Sequence, residues 1–149
     1  MLTKKEILDN RKKWVKYLTE KRLYKHKGEL QKFNGISCCC LGHGCNAFNI
    51  IKKKNGTTLI FGLYGSFFSA PSEFVNLVGL HDSYGEFKNK KQLFFDTNTR
   101  KFYNSNNKNK TRQEFDCLVS LNDDTDATTK EIGMFIKAHI NDGLIFEKV

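Results

Sequence analysis

Two capping boxes, one near each end of the chain, begin the helices that the sequence predicts most strongly. The first is formed by Thr3 and Glu6, and the second by Thr128 and Glu131. Apolar side chains then recur at helical spacing: Ile7, Leu8, Trp14, Val15 and Leu18 after the first box, and Ile132, Phe135, Ile136 and Ile140 after the second. The other face of the first helix carries Lys4, Lys5, Arg11, Lys12, Lys13 and Lys16. We therefore expect two amphipathic helices that pack on the core, with the basic side chains of the first facing solvent.

Signals for hairpins and short helices lie between these two segments. Asn34-Gly35 and Asn55-Gly56 are two-residue turn sequences between runs with strand character. A short glycine-containing helix is predicted over 40–48, and Pro71 and Gly79 are placed to begin and end another.

Further strands are predicted in four segments, 86–87, 93–95, 102–103 and 115–121, and the pattern of residues 144–146 is compatible with a final strand. No βαβ repeat is regular, so the pattern does not favour a parallel sheet. It predicts a single α+β domain over residues 1–149, with a mostly antiparallel sheet of short hairpins and about three to four helices.

Composition excludes several classes of protein. The 149 residues suffice for about one domain, and 39% hydrophobic with 28% charged residues is typical of a globular chain. No apolar run approaches the roughly 20 residues that span a bilayer, and the amino terminus lacks the apolar stretch of a secretory signal. We therefore expect a cytoplasmic protein with no membrane partner. Thirteen phenylalanines and one proline predict an aromatic core.

The net charge of +9 is unevenly distributed. Residues 1–32 hold 11 Lys and Arg against 4 Asp and Glu, and residues 88–112 hold 8 against 1. Residues 113–149 are acidic, with 3 against 8. A basic surface raises the local concentration of anions, which is compatible with nucleic acid, with small phosphates, or with a solvated face that has no partner.

Four of the five cysteines are clustered, at positions 38, 39, 40 and 45, and Cys117 stands apart. Without a secretory signal we expect reduced thiols. The segment Cys39-Cys40-Leu41-Gly42 is predicted to lie where a strand leads into a helix, a position whose N–H groups and dipole favour an anion. A thiol there is expected to have a lowered pKa. Structural packing, binding of an anion and a nucleophilic role all remain open.

Three further patterns are less specific. Cys38, Cys40, His43 and Cys45 are metal-ligand types, but they lack a second distant pair, so no metal is predicted. The acidic segment 122–126 lacks the glycine and distal glutamate of a calcium loop, and a turn before a helix is the favoured interpretation. The basic and aromatic segment 87–103 fits single-stranded nucleic acid, or else a strand that alternates core aromatics with solvated lysines. Because Phe94 and Phe95 are consecutive, at most one of them is expected to face outward.

A series of short motifs runs along nearly the whole chain. In order they are Trp14 and Leu18, Tyr24, Gly28-Glu29-Leu30, C-C-L-G-x-x-C at 39–45, Gly79-Leu80, Gly85, Leu121-Asn122-Asp123, and Glu131-Ile132. This ordered set resembles a widespread family of small, uncharacterised phage and prophage proteins. Cys38 and His43-Gly44 depart from the family's pattern, which has apolar residues there. The resemblance implies a phage gene expressed in the bacterial cytoplasm and carries no assigned activity.

We expect a phage-encoded accessory protein that sequesters a small, anionic, nucleotide-like molecule, such as a host defence signal, without turnover. The residues expected at the ligand are Trp14, Tyr24, Cys39, Cys40, Leu41, Gly42, Asn122 and Asp123. No cofactor and no metal is predicted. A homo-oligomer is compatible with this function, because two subunits can enclose one shared ligand.

Two alternatives stay open. The first is a cysteine-dependent enzyme that modifies or hydrolyses such a molecule, with Cys39 or Cys40 as nucleophile; no histidine has a spacing that identifies it as the base. The second is a nucleic-acid-binding protein, whose affinity would fall steeply with salt.

Overall fold

The computed structural model describes residues 1–25, 37–50, 52–54, 57–59, 69–106 and 109–149. Its α-helices are α1 Lys4–Glu20, α2 Cys40–Ala47, α3 Ser72–Val78, α4 Leu118–Asp123 and α5 Thr129–Ala138. Its strands are β1 Tyr24–Lys25, β2 Ser37–Cys38, β3 Lys52–Lys54, β4 Thr57–Leu59, β5 Leu93–Asp96, β6 Lys101–Tyr103 and β7 Arg112–Phe115. The predicted α+β class is confirmed.

The largest described sheet has three antiparallel strands in the order β6-β5-β7. Phe95 of β5 lies opposite Phe102 on β6 and Gln113 on β7. Phe95 is fully buried, whereas its neighbour Phe94 is only half-buried, because successive side chains of a strand point to opposite faces. The expectation that at most one of the two faces outward is confirmed.

Two smaller sheets accompany it. Strands β3 and β4 pair antiparallel, as predicted for the run on either side of Asn55-Gly56, although these two turn residues lie outside the described part of the chain. Strands β1 and β2 pair in parallel. The hairpin turn predicted at Asn34-Gly35 also lies outside the described residues.

Both predicted capping boxes are present. Thr3 accepts a hydrogen bond from the Glu6 N–H and Glu6 accepts one from the Thr3 N–H; Thr128 and Glu131 do the same at the start of α5. The two helices cross closely at Gly133, where a Cβ atom would lie 2.8 Å from Thr19 Cγ2. The helices predicted from the two ends of the chain therefore pack on each other.

The core is rich in aromatic rings. Trp14 lies edge-on to Phe74, with ring centroids 4.9 Å apart, and to Phe146 at 6.2 Å. A second group of rings joins the sheet to α5: Phe87, Phe95, Phe102, Phe115 and Phe135. Edge-to-face contacts of this kind add to the stabilisation from burial alone.

Arg11 is not on the solvent face where the sequence placed it. The side chain is 1% exposed and donates to three carbonyl oxygens, those of Val78 at 2.7 Å, Ile140 at 3.0 Å and Glu147 at 2.8 Å. Val78 is the last residue of α3, Ile140 follows the end of α5 by two residues, and Glu147 is in the carboxyl-terminal segment. A single cation thus satisfies backbone groups where three segments end against α1.

The apolar strand predicted over 115–121 is also wrong. Strand β7 ends at Phe115, and α4 begins at Leu118. The start of α4 is capped by Cys117, whose sulfur accepts from the Ser120 N–H at 3.3 Å while the Ser120 hydroxyl accepts from the Cys117 N–H at 3.1 Å. Sequence rules look for Ser, Thr, Asp or Asn at this position, so a thiol cap was missed.

Candidate functional site

The residues predicted at the ligand do meet in the folded chain. The Trp14 indole N–H donates to the Cys40 carbonyl oxygen at 3.1 Å, and the Cys40 N–H donates to Asn122 Oδ1 at 3.2 Å. Asn122 in turn donates to Asp123 Oδ1 at 2.9 Å. We call this group of residues, Trp14, Cys39, Cys40, Leu41, Gly42, Asn122 and Asp123, the α2 corner.

The α2 corner is closed by its own side chains. Trp14, Leu41 and Asn122 are each 0% exposed, and Cys40 is 1% exposed. Cys39 caps α2, since its sulfur accepts from the Gly42 N–H at 3.4 Å. The amide groups of Cys40 and Gly42, which the sequence expected to point at an anion, are thus already bonded to the protein. Binding of a ligand by these residues stays a prediction, and their described contacts are those of a packed helix start.

The expectation of a thiol with a lowered pKa is wrong for both corner cysteines. Burial raises the pKa of Cys39 to about 12, even though N–H groups of Gly42 and Leu41 partly oppose the shift. Burial, together with the neighbouring Cys39 and Asp123, also raises the pKa of Cys40 well above its ordinary value. Because the thiolate is the reactive form, the environment of these sulfurs disfavours a nucleophile.

The remaining predicted residues are placed as follows. The backbone of Tyr24 belongs to β1, while its side chain lies outside the described part of the structure. Asp123 is half-buried at the end of α4. Among the described residues, no three His, Cys, Asp or Glu side chains are grouped closely enough to hold a metal ion.

The basic and aromatic segment 87–103 is divided between core and surface. Phe87 and Phe95 are buried, whereas Lys88, Lys90 and Lys91 are exposed around a short 3₁₀ turn. This arrangement agrees with the interpretation of alternating core aromatics and solvated lysines. The end of the segment, from Arg100 onward, reaches a concave surface.

That surface is a groove between strand β6 and helix α5, with a volume of about 530 Å³. Cavities of roughly 300–1,000 Å³ are typical of small-ligand sites. We call it the β6–α5 groove. Its lining residues are Arg100, Lys101, Phe102, Lys130, Glu131, Met134, Phe135, Ala138 and His139.

Apolar side chains form the middle of the groove. Phe102 packs on Phe135 with ring centroids 4.8 Å apart, and Phe102 is half-buried, so part of its surface remains accessible. Met134 is 48% exposed, unusually open for a large apolar side chain. Both side chains line the groove, and the flexible thioether of Met134 provides an adaptable apolar surface for a flat ligand group.

Cationic side chains gather at one end of the groove. Lys101 and Lys130 are exposed, and neither has an ion-pair partner within the described ranges. Arg100 is paired with Glu131, with its Nε 3.1 Å from Glu131 Oε2, and also donates to the Asp126 carbonyl at 2.9 Å. The hydrogen bond to Glu131 raises the pKa of Arg100. Three cations against one carboxylate leave this end positive.

Arg100 occupies a left-handed backbone conformation, with φ of 56°. Such a conformation is uncommon for residues other than glycine and asparagine and costs free energy. The turn is maintained by the Arg100 N–H, which donates to the Asp96 carbonyl at 2.8 Å, and the guanidinium lies 4.7 Å from the centre of the Phe95 ring. The contacts of the side chain with Glu131 and Phe95 offset that cost.

His139 lies at the opposite end of the groove. Its Nδ1 is 2.6 Å from Asp142 Oδ2. Burial by itself would raise the pKa of Asp142, but hydrogen bonds from the Leu144 N–H and from His139 outweigh it and lower that pKa. The lining of the groove contains no Ser, Thr or Cys side chain.

Sequence reasoning missed the β6–α5 groove because its two walls are separated along the chain. Arg100 and Lys101 fall within the basic and aromatic segment 87–103, and no role was predicted for the outer face of α5. The available signal was Met134, a large apolar residue outside the apolar face of an amphipathic helix. A single exposed apolar side chain is common on protein surfaces. It indicates a binding surface only when other apolar side chains lie next to it in the folded chain, which the sequence does not show.

Comparison with protein-family models, with curated proteins and with solved structures found no match for this chain. In the described part of the chain, no helix has both the length and the apolar composition that crossing a membrane requires.

Proposed function

We propose that this protein binds a small, anionic, nucleotide-like molecule without turnover, and that the β6–α5 groove is the binding site. The observation that carries the proposal is the combination, in one cavity of about 530 Å³, of a cationic end and an apolar middle. A nucleotide has the matching parts, a charged phosphate and a flat ring. The site therefore differs from the α2 corner that the sequence favoured.

The buried thiols support binding rather than catalysis. Cys39 and Cys40 are 5% and 1% exposed, and the raised pKa of each keeps it protonated at neutral pH. The alternative of a cysteine-dependent enzyme needs an accessible thiolate. Sequestration without a chemical step requires only the groove.

The biological role is part of the same proposal. The resemblance to small phage proteins supports an accessory gene product that acts in a bacterial cell and withholds a nucleotide-derived defence signal from its receptor. Cells that produce the protein would then show a lower free concentration of that signal, with the total amount unchanged after denaturing extraction. A fall in the total would indicate degradation instead and contradict sequestration.

The first test is a ligand panel. The purified chain is mixed with linear nucleotides, cyclic nucleotides and ADP-ribose derivatives, its melting temperature is recorded, and each ligand is analysed by chromatography after denaturation. A ligand present at 100 times its Kd stabilises the fold by about 2.7 kcal/mol, a clear thermal shift. We expect a shift with the ligand recovered intact. A shift with altered ligand would identify an enzyme, and no shift with any compound would refute the proposal.

A matched pair of variants locates the site. Lys101→Gln with Lys130→Gln removes two positive charges from the groove, whereas Lys12→Gln with Lys137→Gln removes two exposed charges elsewhere. Only the first pair is expected to reduce the thermal shift markedly. Equal loss in both would indicate nonspecific attraction to a basic protein, as in the nucleic-acid alternative.

A further inference from the structure

The uneven distribution of charge along the β6–α5 groove restricts which anionic ligands it accepts. Helix α5 runs along the groove from Lys130 and Glu131 at its start, past Met134, to Ala138 and His139 at its end. Lys130 and Ala138 are eight residues apart, which is about 12 Å along a helix. Strand β6 follows the same direction, since Arg100 contacts Glu131 and Phe102 contacts Phe135.

All three cations of the groove therefore lie at one end. Arg100 contacts Glu131 in the first turn of α5, Lys130 belongs to the same turn, and Lys101 follows Arg100 in the lining. The helix dipole adds further positive potential at this end. Glu131 is the one carboxylate in the lining, and the charges of the lining residues at this end sum to about +2. Asp126 does not line the groove, and its carboxylate accepts from Gln113 Nε2 at 3.1 Å, but its charge acts on the neighbouring Arg100 and helps to raise the pKa of that side chain.

Resting on the proposed function, we propose that the groove selects a phosphate monoester and holds it in one orientation. The terminal phosphate, with a charge of about −1.5 to −2 at neutral pH, contacts Lys101 and Lys130. The nucleobase lies against Met134 and Phe102. A cyclic phosphodiester fits less well, because it carries a single charge and its phosphate is fused to the sugar rather than extended from it.

Three adenine compounds test this orientation by titration calorimetry: adenosine, adenosine 5′-monophosphate and adenosine 3′,5′-cyclic monophosphate. We expect the monophosphate to bind at least about tenfold more tightly than the other two. Lys130→Gln is expected to weaken monophosphate binding up to about fivefold, the upper range for an exposed charge pair, and to leave adenosine binding unchanged. Lys137→Gln, on the same helix but outside the groove, should change neither.

A variant that loses binding could simply be misfolded, so a variant expected to bind more tightly is the stronger test. Glu131→Gln keeps the capping box, because Gln serves at that position as well as Glu, yet removes the carboxylate that occupies Arg100. We expect adenosine 5′-monophosphate to bind several-fold more tightly to Glu131→Gln, since Arg100 becomes a third partner for the phosphate. Unchanged or weaker binding would overturn the proposed orientation.

The two proposals fail differently. If the cyclic and linear phosphates bind equally well, the selection of a monoester is wrong while the groove remains a binding site. If none of the three adenine compounds binds, the inference is overturned, and the proposed function falls only when the wider panel is also negative.

Discussion

The guanidinium of Arg11 lies over the ring of Phe146, with its central carbon 4.4 Å from the ring centre. Its nitrogens meanwhile donate to carbonyl oxygens at the end of α3, just after α5 and in the carboxyl-terminal segment. Burial lowers the pKa of Arg11 without removing its charge, because a guanidinium stays protonated in proteins. One side chain of α1 thus connects three segments that are far apart in sequence.

Replacement of Arg11 by Met is expected to destabilise the fold by about 3 kcal/mol or more. Met retains much of the apolar stem, but the carbonyls of Val78, Ile140 and Glu147 lose their donor, and each buried unsatisfied group costs about 1–3 kcal/mol. Urea denaturation measures the loss. Lys12→Met, at the exposed neighbouring position, is the control and is expected to stay within about 0.5 kcal/mol of the parent. Equal destabilisation by the two variants would show that the hydrogen bonds of Arg11 do not stabilise the packing of the three segments on α1.

The Asn122→Ala variant distinguishes a structural role of the α2 corner from a role in ligand binding. The Cys40 N–H loses its acceptor in this variant, so we expect a loss of about 1–3 kcal/mol in the free energy of unfolding. Asn141→Ala, at an exposed position, is the control. Under conditions where the variant remains folded, adenosine 5′-monophosphate is expected to bind as it does to the parent. If the folded variant no longer binds adenosine 5′-monophosphate, the α2 corner rather than the β6–α5 groove is the binding site.

The raised pKa of Cys39 predicts a loss of stability in alkali. The thiol ionises near pH 9 in the unfolded chain and at about 12 in the folded one, so the stabilisation is complete below pH 9 and declines as the pH rises toward 12. The slope is about 1.4 kcal/mol per pH unit for one thiol. Cys39→Ser retains a cap for the Gly42 N–H and lacks this titration. Urea denaturation between pH 8 and pH 10.5 compares the two; parallel curves would contradict the raised pKa.

The lowered pKa of Asp96 predicts the opposite pH dependence, a loss of stability in acid. Burial by itself would raise its pKa, but hydrogen bonds from the N–H groups of Thr99 and Asn98, and from Arg112 and Thr111, outweigh it and lower that pKa below 3.8. The stabilisation is therefore present at neutral pH and is lost as the pH falls through the lowered value. Asp96→Asn is expected to lower the Tm at pH 7 and to show a weaker further decrease below pH 4. Asp9→Asn, on the exposed face of α1, should follow the parent in the same thermal scans.

Local chemistry along the chain is enough to specify most of the helices. Thr3 with Glu6, and Thr128 with Glu131, satisfy the first amide groups of α1 and α5 by contacts three residues apart, which a sequence displays directly. Gly79 ends α3 in the left-handed conformation that glycine adopts readily, with φ of 71°. The same local signals failed at α4, because its cap is the sulfur of Cys117.

The burial of Arg11 and the position of the β6–α5 groove depend instead on how segments that are distant in sequence pack on each other. Arg11 belongs by spacing to a basic face, and its burial depends on carbonyls from Val78, Ile140 and Glu147, more than 60 positions farther along the chain. The proximity of Trp14, Cys40 and Asn122 was expected, but their mutual hydrogen bonds closed the corner that the sequence had left open. The β6–α5 groove exists because Phe102 packs on Phe135 and brings strand β6 against helix α5. Spacing along a chain reports contacts within one helix or strand, whereas a site between two elements is set by how their buried faces meet.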